Sequence, residues 1–412
     1  MRVIVAGGGI GGLTTALALH AHGVDVTVFE AVKEVRPLGV GINLLPHAVA
    51  ELAKLGLLEE LDRTGVQTHD LSYYNKFGQL IWREPRGLDA GYPYPQFSIH
   101  RGRLQLLLLK AVRARLGAEA VVTARRLKHW RVQRDGRVAA TLEDRHSGTE
   151  LVETADVLIG ADGIHSTVRS TLYPDEGMPK WNGAVMWRAT TIARPFLSGR
   201  SMIMAGHQDQ KFVCYPIGSP VEQQGYALIN WIAELRTDGR DLAEREDWNR
   251  PGRVEDFFPD FRGWRFDWLD VPALIRGASA IYEYPMVDRD PLPRWTNGPV
   301  TLLGDAGHPM YPIGSNGASQ AILDASFLVQ ALAEAGQTVE GALLAYEAER
   351  RPKTGEIVLT NRQNGPEQIM QLVEDRAPDG FEDLDAVVGR DELAAIAARY
   401  KQVAGFDLAS VH

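Results

Sequence analysis

The sequence predicts an α/β fold. It comprises a Rossmann-type domain opening on a GxGxxG turn, a second domain of mixed or antiparallel β-sheet, and helices at the C-terminus. Three observations carry that prediction. The chain opens MRVIVAGGGIGGLTTALALHAHGVDVTVFE, which reads as a β-branched strand, a glycine cluster, an apolar helix and a second buried strand. Two further strand ends marked by glycine recur, within Ala155–Arg169 and within Pro299–Ala325. Between Trp181 and Tyr284 the texture changes to alternating runs rich in aromatic, methionine and β-branched residues, as in antiparallel strands.

Composition narrows the class of function. The 412 residues are enough for two lobes, and 53 acidic against 44 basic residues give a nucleic-acid partner no electrostatic support. The basic stretch Arg125–Arg131 reads as an exposed strand with solvated charges. A single cysteine, Cys214, excludes an internal disulfide or redox dithiol, and with it a flavin disulfide reductase. No run approaches the ~18–20 apolar residues of a membrane span, and the opening strand is too short and glycine-rich for a signal peptide. The expectation is a cytoplasmic protein with no membrane partner and no metal.

The elements follow in order. Gly7-x-Gly9-x-x-Gly12, with Ile10 and Gly11 inside it, lies at the first strand-to-helix turn. Glycine there permits a tight turn, close approach of a pyrophosphate to the backbone, and close packing of helix on strand. Glu30 ends the second strand, where a ribose-binding carboxylate is expected. Strand Ala155–Gly160 runs into Asp162-Gly163 and then a helix with Ser166 near its start and Arg169 one turn on. The strand before Gly304-Asp305 runs into a Pro/Gly loop and then a helix opening at Gly317-Ala318. That last stretch suits a flavin. Asp305 can accept from a ribityl hydroxyl, and the helix start at Ser315, Asn316, Gly317, Ala318 and Ser319 can face the electron-rich end of the ring.

These three motifs, in this order, resemble those of the p-hydroxybenzoate hydroxylase-like, class A FAD monooxygenases, from Met1 to about Arg362. Within that family the stretches EVRPLGVGIN, YPQFSIHRG, YPMVDRDPLPRW and MYPIGSNGASQAILD are most similar to phenazine hydroxylases. Gly307, where the family more often has alanine, and the tail after Arg362 depart from the pattern. The resemblance implies FAD as cofactor, NADPH or NADH and O2 as co-substrates, and hydroxylation through a flavin C4a-hydroperoxide. It implies a discontinuous FAD domain over 1–75, 100–178 and 285–365, a substrate domain over 76–99 and 179–284, and a helical tail over 366–412. The adenosine ribose would lie on Glu30 beside Ala31, with Leu127 also lining the cofactor. Leu38, Gly39, Val40 and Gly41 would pass the isoalloxazine, and Arg101 would face the pyrophosphate or ribityl. Asp162 and Gly163 would serve both FAD and NAD(P)H, with Arg169 either structural or a pyridine-nucleotide contact.

The implied substrate is a small aromatic, a phenazine carboxylate with decarboxylation an option. Salicylate-, nicotinate-, urate- or quinolone-like compounds are alternatives, as is a non-catalytic FAD sensor or carrier. Met186, Trp187, Met204, Tyr215, Trp231, Tyr284, Tyr311 and Pro312 are the expected substrate lining. His308 either polarises a substrate oxygen or carboxylate or is an orienting histidine satisfied by backbone, and Arg188 either meets a substrate carboxylate or faces solvent. The segment Glu246–Trp268 reads as a cover helix and Gly341–Asn364 as a long packing helix. The tail reads as amphipathic helices, a protomer contact in a protein that is a monomer or homodimer.

Overall fold

The computed structural model describes residues 1–37, 39–218, 225–237, 250–334, 336 and 338–411. Strand Arg2–Ala6 is the centre of a five-stranded sheet ordered Val300–Leu302, Val157–Gly160, Arg2–Ala6, Asp25–Phe29 and Val121–Val122. Its pairings are all parallel, with Ala6 beside Gly160 and Gly160 beside Leu302. A parallel sheet is covered on both faces, so its strands are continuously apolar. Val3, Ile4, Val5, Val157, Leu158 and Ile159 accordingly form one core with Leu13 and Leu17 of helix Ile10–Ala21. The register matters for function. It brings the ends of three strands, and the three glycine motifs that follow them, to one level at the sheet's C-terminal edge, where such sheets bind ligands.

A seven-stranded sheet forms the second lobe, ordered Ile281–Asp288, Lys180–Ala193, Ala227–Arg236, Gln210–Gly218, Ser201–Gly206, Asp70–Tyr74 and Leu80–Pro85. Its pairings are antiparallel except for Ser201–Gly206 with Asp70–Tyr74. Asp70–Tyr74, which the sequence assigns to the first lobe, is thus an inner strand of the second. Its sequence DLSYY is buried at every position and shows no in–out alternation to mark it. The small sheet of Gly41–Leu44, Phe97–His100 and Val66–Gln67 lies between the lobes in the chain.

The two faces of the large sheet have different covers. One packs Met186, Met204, Tyr215 and Tyr284 with Tyr311, Ile313 and residues of the tail helices Gln368–Arg376 and Arg390–Val403. The other packs Trp187, Phe212 and Trp231 with Phe257, Phe261 and Trp264. The expected cover helix is instead broken into a turn Val254–Asp256, a short helix Phe258–Phe261 and a two-strand hairpin. Pro259 and Gly263 disfavour a continuous helix, and residues 246–249 lie outside the described chain. The long helix spans Val339–Asn361 and buries Leu343, Tyr346, Ile357 and Val358. The tail, read as a protomer contact, packs on its own chain.

Candidate active site

Gly7 adopts φ +110°, and a Cβ there would lie 2.3 Å from the Ala161 carbonyl oxygen. At Gly12 a Cβ would come within 2.0 Å of the Gly7 oxygen, and at Gly11 within 2.7 Å of Leu303. The first motif thus meets the second at Gly7, where only glycine fits, and the strand end of the third at Gly11. Gly9 differs: a Cβ there meets nothing within 4 Å, so that backbone borders open space. It is the N-cap of helix Ile10–Ala21, and no side chain caps the helix. The first-turn N–H groups, Ile10 included, remain available to an anion. Glu30 accepts from the Gly8 N–H at 2.6 Å and the Val32 N–H at 2.8 Å. It holds the loop and keeps acceptor capacity for a ribose. Gln105, which the sequence does not single out, donates to the Gly8 carbonyl at 2.8 Å from helix Arg101–Leu116. Ala31 lies beside this group, and its carbonyl accepts from Arg145 at 3.3 Å.

The second motif packs behind the first. One oxygen of Asp162 accepts from the Thr167 N–H at 2.7 Å, while the other is buried without a partner. Burial raises the pKa of this carboxyl above the usual aspartate range. Gly163 has φ +78°. Leu127 is buried on strand Arg125–Val132, its carbonyl accepting from Thr167. Arg169 is 1% exposed and donates to the carbonyls of Ala306, Gly307 and Asp290, and pairs with Glu176. Of its two expected roles the structural one holds, because its donors are spent on tying this helix to the third motif.

Asp305 at the third motif reaches solvent in a recess, and its carboxylate lies 4.0 Å from the position a Cβ on Gly317 would take. It thus adjoins the start of helix Gly317–Ala333, which lacks a side-chain cap. The desolvating protein around it raises its pKa. His308 is not placed for catalysis. It is 2% exposed, with Nε2 2.5 Å from Asp324, which also accepts from the Gly304 N–H and Arg350. The charges of His308 and Arg350 outweigh burial and hold the Asp324 pKa at about 2. Histidine follows the motif because it braces the loop from behind.

The residues expected around the ring converge. Gly39 has φ +103°, Val40 is buried with its carbonyl accepting from the Arg101 N–H, and Gly41 donates to Asn230 at 2.7 Å. Leu38 lies outside the described residues. The Arg101 side chain is exposed, and its charge reaches Asp305 and Arg188. Ser315 takes φ +57°, unusual for a residue with a Cβ, and accepts from Asn43 at 3.3 Å. The Asn316 side chain donates to Tyr400 and the Ser319 hydroxyl accepts from the Leu45 N–H. Those two side chains fasten the loop, so the groups left for a ligand there are backbone N–H donors of Gly317 and Ala318.

The large sheet closes over this loop by the face bearing Met186, Met204, Tyr215, Tyr284 and Tyr311, with Pro312 exposed beside them. Trp187 and Trp231 are on the opposite face, and their expected role as substrate lining is corrected. Trp187 stacks on Phe257 at 4.9 Å and donates to Glu283, and Trp231 donates to Thr191. Side chains alternate along a strand, so Met186 and Trp187 cannot share a face. By the same alternation Arg188 joins Met186. It donates to the Gly41 carbonyl at 2.9 Å and lies 5.9 Å from the Tyr284 ring. Burial lowers its pKa, and the Tyr215 hydroxyl bonds it. Its Nε is buried without a partner, and it has no carboxylate partner among the described residues. Leu71, Tyr73 and Met202 complete this face. Sequence reasoning missed them because Asp70–Tyr74 was not recognised as part of the sheet.

A glycine-lined turn, two uncapped helix starts and a carboxylate in one cleft are the parts of a dinucleotide flavin site, and the unpartnered Asp162 oxygen and open Gly9 backbone fit such a ligand. The chain belongs to the FAD binding domain family, matching it over residues 1–252 and 279–360. It is an FAD-dependent enzyme of the aromatic monooxygenase class. It is 50% identical over 362 residues to the phenazine 1,6-dicarboxylic acid hydroxylase PhzS of Lysobacter antibioticus, covering 87% of this chain and 89% of that protein. It is 32% identical to the 3-amino-4-hydroxybenzoate 2-monooxygenase PtnB3 of Streptomyces platensis, over 93% and 94% of the two. A salicylate hydroxylase substrate complex has the same fold, with TM-score 0.76 at 23% identity over 99% and 96%. No described helix is long and apolar enough to cross a membrane.

Proposed function

We propose that this protein hydroxylates a phenazine carboxylate, taking two electrons from NADPH or NADH. One oxygen atom of O2 enters the ring as hydroxyl and the other leaves as water. The observation that carries this reading is Arg188. It is a guanidinium without an acid partner among the described residues, at the margin of a flat surface of methionine and tyrosine. Buried cations are ordinarily paired, and a substrate carboxylate supplies the missing partner.

FAD supplies the oxygen chemistry when bound, held by Gly7 to Gly12, Glu30, Asp162, Asp305 and the Gly317 helix start. The protein's part is to place and shield the ring. Met186, Met204, Tyr284 and Tyr311 give it an apolar bed and exclude water. Arg188 fixes its in-plane rotation through the carboxylate, a charge-assisted and directional contact. Burial pushes the Tyr215 hydroxyl up to about 12, so it stays protonated and a donor across the working pH range.

The test is NAD(P)H oxidation by the FAD-loaded enzyme with phenazine-1-carboxylate, phenazine-1,6-dicarboxylate, salicylate and 6-hydroxynicotinate, quantifying peroxide and product. Stimulation by a phenazine with little peroxide is expected. Coupled turnover of salicylate or hydroxynicotinate alone would move the substrate to that class. Oxidation that yields only peroxide with all four would overturn the phenazine reading.

A further inference from the structure

The apolar face continues past Met204 into a recess of about 20 Å³, room for one small polar group and far too little for a ring. Met202, Met204 and Ser315 border it on the ring side. Its inner wall carries Tyr73, Arg86 and Gln96, which are 0%, 7% and 3% exposed. The Tyr73 hydroxyl, the Arg86 Nε and the Gln96 Oε1 are all buried without a hydrogen-bond partner. Three orphaned polar atoms around one cavity are costly unless something enters to meet them.

The charge of the recess is also defined. Arg86 is ion-paired with Glu84, but Glu84 is shared with Lys401 at 2.7 Å, from helix Arg390–Val403. Two cations around one carboxylate leave a net positive charge of one, with the Arg86 guanidinium also 6.0 Å from the Phe406 ring. We infer that this recess is a second anion subsite, taking a carboxylate at the end of the substrate remote from Arg188. Tyr73 and Arg86 donate to it, and Gln96 turns its amide to present NH2.

The placement fits a flat substrate with an acid at each end. Arg188 stands on strand Lys180–Ala193 and Tyr73 on Asp70–Tyr74, four strands further across the sheet, or about 19 Å at the usual spacing. Both side chains reach inward over the methionine bed, leaving a span suited to fused aromatic rings. Lys401 touches no substrate. It is a positioning residue that sets the charge by engaging Glu84.

This subsite rests on the phenazine reading, and the experiment separates the two. Phenazine-1-carboxylate and phenazine-1,6-dicarboxylate are titrated into the FAD-loaded enzyme, following the flavin spectrum, for the wild type and for Tyr73→Phe, Arg86→Met and Lys401→Met. The wild type is expected to bind the diacid at least about tenfold more tightly, as one charge-assisted contact implies. Each variant is expected to shrink that preference several-fold, mainly by weakening the diacid. Lys401→Met, at a partly exposed side chain that reaches the subsite only through Glu84, guards against a folding defect in the buried variants. Diacid and monoacid bound with an unchanged preference in all variants would overturn the subsite, leaving a recess that holds only a water. No spectral response to either phenazine would overturn the phenazine reading, and the subsite with it.

Discussion

Met186 and Trp187 are adjacent in the chain yet belong to different cores, one above the cofactor cleft and the other behind the sheet. Residue type alone made both look like lining for an aromatic substrate. Only the register of Lys180–Ala193 against its neighbours fixes the phase, and that is a long-range fact. The two positions should respond to mutation in opposite ways. Trp187→Ala empties a fully buried site and is expected to cost about 3–5 kcal/mol, seen as a lower urea midpoint, with substrate KM little changed in protein that remains folded. Met186→Ala is expected to raise KM and peroxide leakage with a smaller stability loss. The reverse pattern would put the substrate on the wrong face. Asp305→Ala, which removes the carboxylate beside the Gly317 helix start, is expected to raise the FAD dissociation constant at least about tenfold, the scale of one lost buried hydrogen bond to a charged group. A variant that purifies fully yellow would contradict that role.

At the scale of elements, the legible part of this protein is what is local. A strand, a glycine turn and a helix start are written within some fifteen residues, so all three motifs could be located from sequence, and their convergence follows from parallel pairing. The recess around Tyr73, Arg86 and Gln96 could not be read. Its residues lie in a strand without alternation, its following hairpin and a loop, and the charge beside them is set by a contact from far along the chain, Lys401 of the C-terminal helix with Glu84. Gly12 gives the sharpest test of the local logic. A methyl there would sit 2.0 Å from the Gly7 oxygen, so Gly12→Ala must displace the turn. FAD retention is expected to fall by orders of magnitude together with thermal stability. A variant with wild-type retention would show that the turn is not the cofactor cradle.

For the whole molecule, the buried histidine His47 connects fold to pH. It is 5% exposed, neither ring nitrogen has a partner, and burial with the nearby Arg350 charge lowers its pKa to about 3. The unfolded chain takes up this proton near pH 6.5 and the folded one does not, so this group reduces stability as pH falls between those values. The slope approaches about 1.4 kcal/mol per pH unit. Urea unfolding of wild type and His47→Leu at pH 7, 6 and 5 should show the variant losing less over that span. Parallel curves would mean that His47 titrates normally in the folded protein.

Tyr400 has a wider consequence. Its hydroxyl bonds Asn316, Asn361 and the Ile313 carbonyl, and a methyl on Gly314 would collide with it at 1.9 Å. The loop ahead of helix Gly317–Ala333 is thus finished by a residue 84 positions later in the chain. A chain clipped ahead of Tyr400 would lose all three of these hydrogen bonds at once, so the C-terminal helix belongs to the scaffold of this loop rather than to a detachable tail.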